Sequence, residues 1–212
     1  MNLALYSNQI AGVTDAIDAR LFAMLPPKPR IGYIPSSPDP ERTWFTALEP
    51  YYSRYGAELS FFGLEDEFDA SQLPELLACD AIHLTGGNTF QFLYWLRKHA
   101  MGAELRRYVQ NGGVLIGVSA GAILMTPDIS SSLLCGDEPY PGLDDTSGLG
   151  LVDFAVFPHC EGSRDHLQAL STFSASFPSE VIALTDSAGI VVEDGTVEIL
   201  GEAWRARHGQ RI

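Results

Sequence analysis

The sequence predicts a three-layer α/β fold built on a mostly parallel central sheet. Three observations lead there. Short apolar runs alternate with amphipathic stretches, the signature of buried parallel strands covered by helices. The chain has 212 residues, 46% apolar and 19% charged, enough to bury one sizeable core. No repeat, low-complexity tract or charge block divides it, so residues 1–212 read as one domain.

The elements follow in order. Leu3–Tyr6 is a first strand, with a helix near Thr14–Met24. Arg30–Ile34 precedes a helix near Arg42–Tyr55, and Glu58–Phe62 precedes a short one near Ser71–Leu77. Ala81–Leu84 leads through Thr85-Gly86-Gly87 into a helix over Thr89–Lys98, where Asn88 followed by Gln91 resembles a capping box. A helix near Ala103–Gln110 and the turn Asn111-Gly112-Gly113 introduce the strand Val114–Val118. That strand runs through Ser119 into a helix over Ala120–Met125.

Between Pro127 and Gly150 the periodicity breaks, and a loop this long is usually functional or mobile. Its place after the Ser119 helix suggests a cover over the site. Ala155–Phe157, a helix near Arg164–Phe173 and Val181–Leu184 come next. Gly195 marks a tight hairpin that makes Ile190–Glu193 and Thr196–Leu200 antiparallel. The polar residues beyond read as a frayed tail.

Composition narrows the function classes. A net charge of −14 repels a phosphate backbone, which argues against nucleic acid as a partner. No apolar run approaches the roughly 20 residues of a membrane helix, and the start lacks the pattern of a signal peptide. A cytoplasmic location without membrane contact is the expectation. Cys79, Cys135 and Cys160 are too few and scattered for a disulfide framework or a zinc site. Cys160 follows His159 directly, and along an extended segment neighbours face opposite ways, which disfavours a Cys–His pair.

Gly117-Val118-Ser119-Ala120-Gly121 carries the strongest chemical signal. A serine at a sharp strand-to-helix turn is held clear of the backbone, and the turn demands small neighbours. The Ala120 amide opens the helix and is available to an oxyanion, with the helix dipole assisting. The competing reading makes Ser119 a plain helix cap. Gly86 and Gly87, at the end of a neighbouring strand, are the other candidate oxyanion donors.

A serine nucleophile needs a neutral imidazole and a carboxylate that fixes its tautomer. His159 ends a strand at the sheet's carboxyl edge, whereas His208 lies in the tail; His83 reads as packed, and His99 and His166 as helix-surface residues. Ser119–His159–Asp186 and Ser119–Asp186–His208 are both possible triads. Asp137, Asp144 and Asp145 in the long loop rival Asp186 as the acid.

Together, Gly86-Gly87-Asn88-Thr89-Phe90-Gln91, Gly117-Val118-Ser119-Ala120-Gly121-Ala122 and Phe157-Pro158-His159 resemble the peptidase E family, the α-aspartyl dipeptidases. The resemblance implies a class I glutamine-amidotransferase-like fold and hydrolysis of short peptides through an acyl-enzyme, without cofactor or metal. By position it assigns Ser119 as nucleophile, His159 as base, Asp186 as acid, and Gly87 and Ala120 as the oxyanion hole. It places Asn88 and Arg164 beside the substrate. Thr85 stands where the family often has a further glycine, Asp186 where a glutamate is usual, and the stretch from His159 to Arg164 is shorter than in the dipeptidases. Three function readings therefore stand: an aspartyl dipeptidase, a serine exopeptidase or hydrolase of other specificity, and a non-catalytic binding module.

Overall fold

The computed structural model describes residues 1–212. Its strands are β1 (Asn2–Tyr6), β2 (Arg30–Ile34), β3 (Glu58–Phe61), β4 (Ala81–Leu84), β5 (Val114–Val118), β6 (Ala155–Phe157), β7 (Val181–Leu184), β8 (Gly189–Glu193), β9 (Thr196–Leu200), β10 (Ala203–Arg207) and β11 (Gln210–Arg211). Its helices are α1 (Asp15–Ala23), α2 (Thr43–Ser53), α3 (Leu73–Leu76), α4 (Thr89–Lys98), α5 (Met101–Gln110), α6 (Ala120–Leu124) and α7 (Arg164–Ser176). Seven strands form the central sheet in the order β3-β2-β4-β5-β1-β8-β9. The first five run parallel, and β8 and β9 close one edge antiparallel.

Alternation along the strands builds the layers. Leu3 and Leu5 of β1 pack with Phe92 and Leu96 of α4, Leu105 of α5 and Ile123 of α6. Ala4 and Tyr6 point the other way, against Ile17 and Leu21 of α1 and Tyr51 and Tyr52 of α2. Helices therefore cover both faces of a mostly parallel sheet, as the sequence predicts.

A second sheet, ordered β11-β10-β7-β6, stands apart from the first. Its apolar face, including Phe157, Cys160, Val181 and Ala183, packs on Leu170 of α7. The expectation of a frayed C-terminal tail is corrected here. Ala203-Trp204-Arg205-Ala206 pairs antiparallel with β7, Ala206 is buried, and Arg205 is ion-paired with Glu180.

The 127–150 segment also differs from its expectation as a cover. Its short 3-10 turn, Ser130–Cys135, bonds to β6 through Ser131 Oγ, which donates to the Val156 carbonyl at 2.7 Å. Arg97 of α4 holds the carbonyls of Asp145 and Ser147, each at 2.6 Å. These partners draw the segment against α4 and β6, and none of its residues lines the cleft that contains Ser119.

Candidate active site

Ser119 joins β5 to α6 with φ 51° and ψ −108°, a backbone region that L-residues seldom occupy. Local contacts hold it there. The Ser119 amide donates to the Tyr6 carbonyl at 2.9 Å, and the Gly121 amide to the Thr85 carbonyl at 3.0 Å. The turn is close-packed against β4: a Cβ on Gly121 would lie 2.1 Å from the Leu84 carbonyl oxygen. A Cβ on Gly117 would lie 2.5 Å from the Gly121 oxygen. The side chain of Ser119 makes no cap bond to α6. Its hydroxyl instead lies 2.9 Å from His159 Nε2.

His159 follows β6 and Pro158, also with a positive φ of 57°. Its Nδ1 lies 2.5 Å from Asp186 Oδ1, just beyond the end of β7. An ionised carboxylate only accepts, so Nδ1 carries the proton toward Asp186 and Nε2 is left as an acceptor for the serine hydroxyl. Ser119, His159 and Asp186 thus form a continuous hydrogen-bonded run across the junction of the two sheets. The His159 imidazole and the Asp186 carboxylate are both partly exposed, with 40% and 46% of their side chains accessible.

Ser7, at the end of β1, is a residue that sequence reasoning missed. It is fully buried, and its Oγ accepts the His159 amide at 2.8 Å. The bond ties the positive-φ turn of the small sheet to the central sheet. A single serine at a strand end is too common to be singled out from sequence. Ser36 was missed for the same reason. Its Oγ donates to the Gly86 carbonyl at 2.5 Å, and its amide donates to Thr85 Oγ1 at 2.8 Å. In a trans peptide the following N–H points opposite to the carbonyl, so the Gly87 amide is directed away from Ser36. That amide donates to no other backbone group. Gly87 has φ 137°, and a Cβ there would meet Ser36 Oγ at 2.1 Å, so the position admits only glycine. The amide of Ala120, the first residue of α6, finds no acceptor within its helix.

The remaining sequence candidates fall elsewhere. Asn88 caps α4, with Oδ1 accepting from the Gln91 amide at 2.8 Å and Nδ2 donating to the Glu138 carbonyl at 2.9 Å. Asp137 accepts from the Thr89 amide at 2.8 Å and so joins the same cap rather than His159. Arg164 is exposed at the start of α7 and lines a separate depression with Gln168 and Arg211. His208 sits exposed in the β10–β11 turn. Cys160 is fully buried in the small-sheet core and takes no part in the site, although His159 beside it lies in a positive-φ turn rather than the extended segment expected.

Ser119 and His159 open into a cleft of about 580 Å³ that also borders Gly86 and Gly87. Its floor includes His83, whose Nδ1 lies 2.6 Å from the Tyr52 hydroxyl. Complete burial pushes the His83 imidazole down to about 3, so it stays neutral.

Known proteins resemble this arrangement at the level of sequence and fold. The model of peptidase family S51 matches residues 4–200. A peptidase E of Nostoc sp. is 28% identical over 172 residues, covering 74% of this chain and 70% of its own. An uncharacterized peptidase of Pasteurella multocida is 30% identical over 157 residues, covering 71% of this chain and 73% of its own. Two crystal structures share the fold. One, a Listeria monocytogenes protein provisionally described as a peptidase E protein, superposes with a TM-score of 0.76 at 21% identity, over 95% of this chain and 98% of that one. The other, a peptidase from an acI-B1 Actinobacterium, gives 0.72 at 18% identity, over 100% of this chain and 96% of that one. With the family model matching nearly its whole length, this chain belongs to peptidase family S51 and is a peptidase.

Proposed function

We propose that this peptidase is a serine enzyme that hydrolyses short peptides through an acyl-enzyme. The observation that carries the reading is the run from Ser119 Oγ through His159 to Asp186, at 2.9 and 2.5 Å. Ser119 Oγ attacks the scissile carbonyl carbon while His159 Nε2 takes its proton. Asp186 holds the Nδ1 proton and stabilises the imidazolium that forms. The Gly87 and Ala120 amides donate to the oxyanion, a contribution of about 3 kcal/mol for one such donor elsewhere. Collapse of the tetrahedral adduct breaks the C–N bond, and the amine leaves with the proton from Nε2. Water then adds to the acyl carbon, again giving its proton to Nε2. Expulsion of Ser119 releases the carboxylic acid and restores the hydroxyl.

Asn88 and Arg164 have no part in this reading at the scissile bond, because neither borders the cleft. The aspartyl preference implied by the family resemblance therefore lacks its expected arginine. Replacing Ser119 with alanine tests the proposal. Turnover of a cleavable peptide is expected to fall by a factor on the order of 10⁴ to 10⁶ with the fold intact. Turnover at the wild-type rate would overturn it.

A further inference from the structure

We infer that the cleft selects a neutral apolar or aromatic side chain beside the attacked carbonyl, with Trp44 as its main determinant, and disfavours an aspartyl residue there. The inference rests on the catalytic reading above and adds the substrate class.

The first observation is the absence of formal charge. None of the 15 residues lining the cleft is Asp, Glu, Lys or Arg. Its ionisable groups are Tyr33, His83 and His159. Burial holds His83 neutral, and burial with the nearby Asp39 carboxylate pushes the Tyr33 hydroxyl up to about 12. A substrate carboxylate entering this space would lose water without gaining a cationic partner, a cost of several kcal/mol if fully desolvated. Arg164, the cation nominated by resemblance, lines a different depression.

The second observation is a wall built for apolar contact. Tyr33 of β2, Pro35 just after it, and Trp44 and Leu48 of α2 are among the residues that line the cleft. Trp44 and Leu48 are four residues apart on α2, hence on one helical face. Trp44 is 70% exposed, an unusual placement for the largest apolar side chain. Its position is fixed from below. The buried Asp39 carboxylate accepts the amides of Thr43, Trp44 and Phe45 at 2.8, 3.1 and 3.0 Å. Tyr33 stacks on His83 with centroids 5.6 Å apart, so the floor beneath is also closed and aromatic. An indole offered to solvent from a capped helix, in the cleft that also holds the candidate nucleophile, is suited to cover a substrate side chain.

The test compares phenylalanyl, leucyl and aspartyl p-nitroanilides on wild type, Trp44→Ala, Trp44→Phe, Trp44→Arg and Ser119→Ala. In wild type, kcat/KM for the phenylalanyl substrate is expected to exceed that for the aspartyl substrate by about a hundredfold. Trp44→Ala should shrink that ratio by about tenfold, chiefly through a higher KM for the phenylalanyl substrate. Trp44→Phe should retain most of the preference, and Trp44→Arg should shift it toward aspartate. Because Trp44 is mostly exposed, these changes leave the core intact. Aspartyl turnover equal to or above phenylalanyl turnover in wild type would overturn the inference. So would a ratio that Trp44→Ala does not move, even with Ser119→Ala inactive. Phenylalanyl turnover undiminished in Ser119→Ala would instead overturn the catalytic reading beneath it.

Discussion

At Ser119 and His159 the chain adopts positive φ without glycine, at 51° and 57°. Such conformations persist only where surrounding contacts over-determine them, and each costs on the order of 1–3 kcal/mol. Here the contacts are the Ser119 amide on Tyr6 and the His159 amide on Ser7, both at the end of β1. The sequence made Ser119, His159 and Asp186 legible because each follows a short apolar strand, where α/β sites are assembled. It left the acid open between Asp186 and the loop acids, since side-chain reach is a three-dimensional property. Their surroundings now separate the two leading candidates. Replacing Asp186 with asparagine should lower kcat by a factor on the order of 10⁴, as for loss of a triad carboxylate. Replacing Asp137 with alanine should leave kcat within a few-fold and cost about 1 kcal/mol of stability through the α4 cap. Steady-state kinetics and urea unfolding of the two variants distinguish these outcomes.

Among the elements, the strand–turn–helix from β5 to α6 depends most on its small residues. Gly121 passes so close to β4 that an added Cβ would overlap the Leu84 carbonyl, a backbone atom with little freedom to retreat. Gly121→Ala should therefore lower stability by about 2 kcal/mol or more, measured by urea unfolding, and reduce activity by displacing Ser119. The sequence motif announced this crowding, because its glycines flank the serine at the required spacing. The hairpin of β8 and β9 was equally readable from Asp194-Gly195. By contrast, β10 passed unread. Its alternation of Trp204 and Ala206 with arginines fits a strand, but five residues amid polar neighbours carry a weak signal. The 127–150 segment was readable as irregular, yet its course was not. Its position comes from hydrogen bonds to α4 and β6, partners remote in sequence.

For the molecule as a whole, periodicity revealed the layers and strand pairing remained hidden. Apolar runs show that strands are buried, but they do not show that β6 and β7 leave the central sheet to join β10 and β11. That division has a functional consequence. Ser119 follows a strand of the central sheet, while His159 and Asp186 follow strands of the smaller one, so the proposed catalytic run depends on how the two sheets meet. The net charge of −14 resides outside a cleft with no carboxylate or cationic lining residue. The overall charge therefore gives no guide to the substrate. The central claim is that Ser119 becomes acylated during turnover. Wild type and Ser119→Ala can be mixed with the p-nitrophenyl ester of N-acetylphenylalanine, quenched in acid within milliseconds to seconds, digested and weighed. The account predicts an acetylphenylalanyl adduct on the Ser119 peptide of wild type and none on the variant. An acyl group on another residue, or hydrolysis by Ser119→Ala at the wild-type rate, would contradict it.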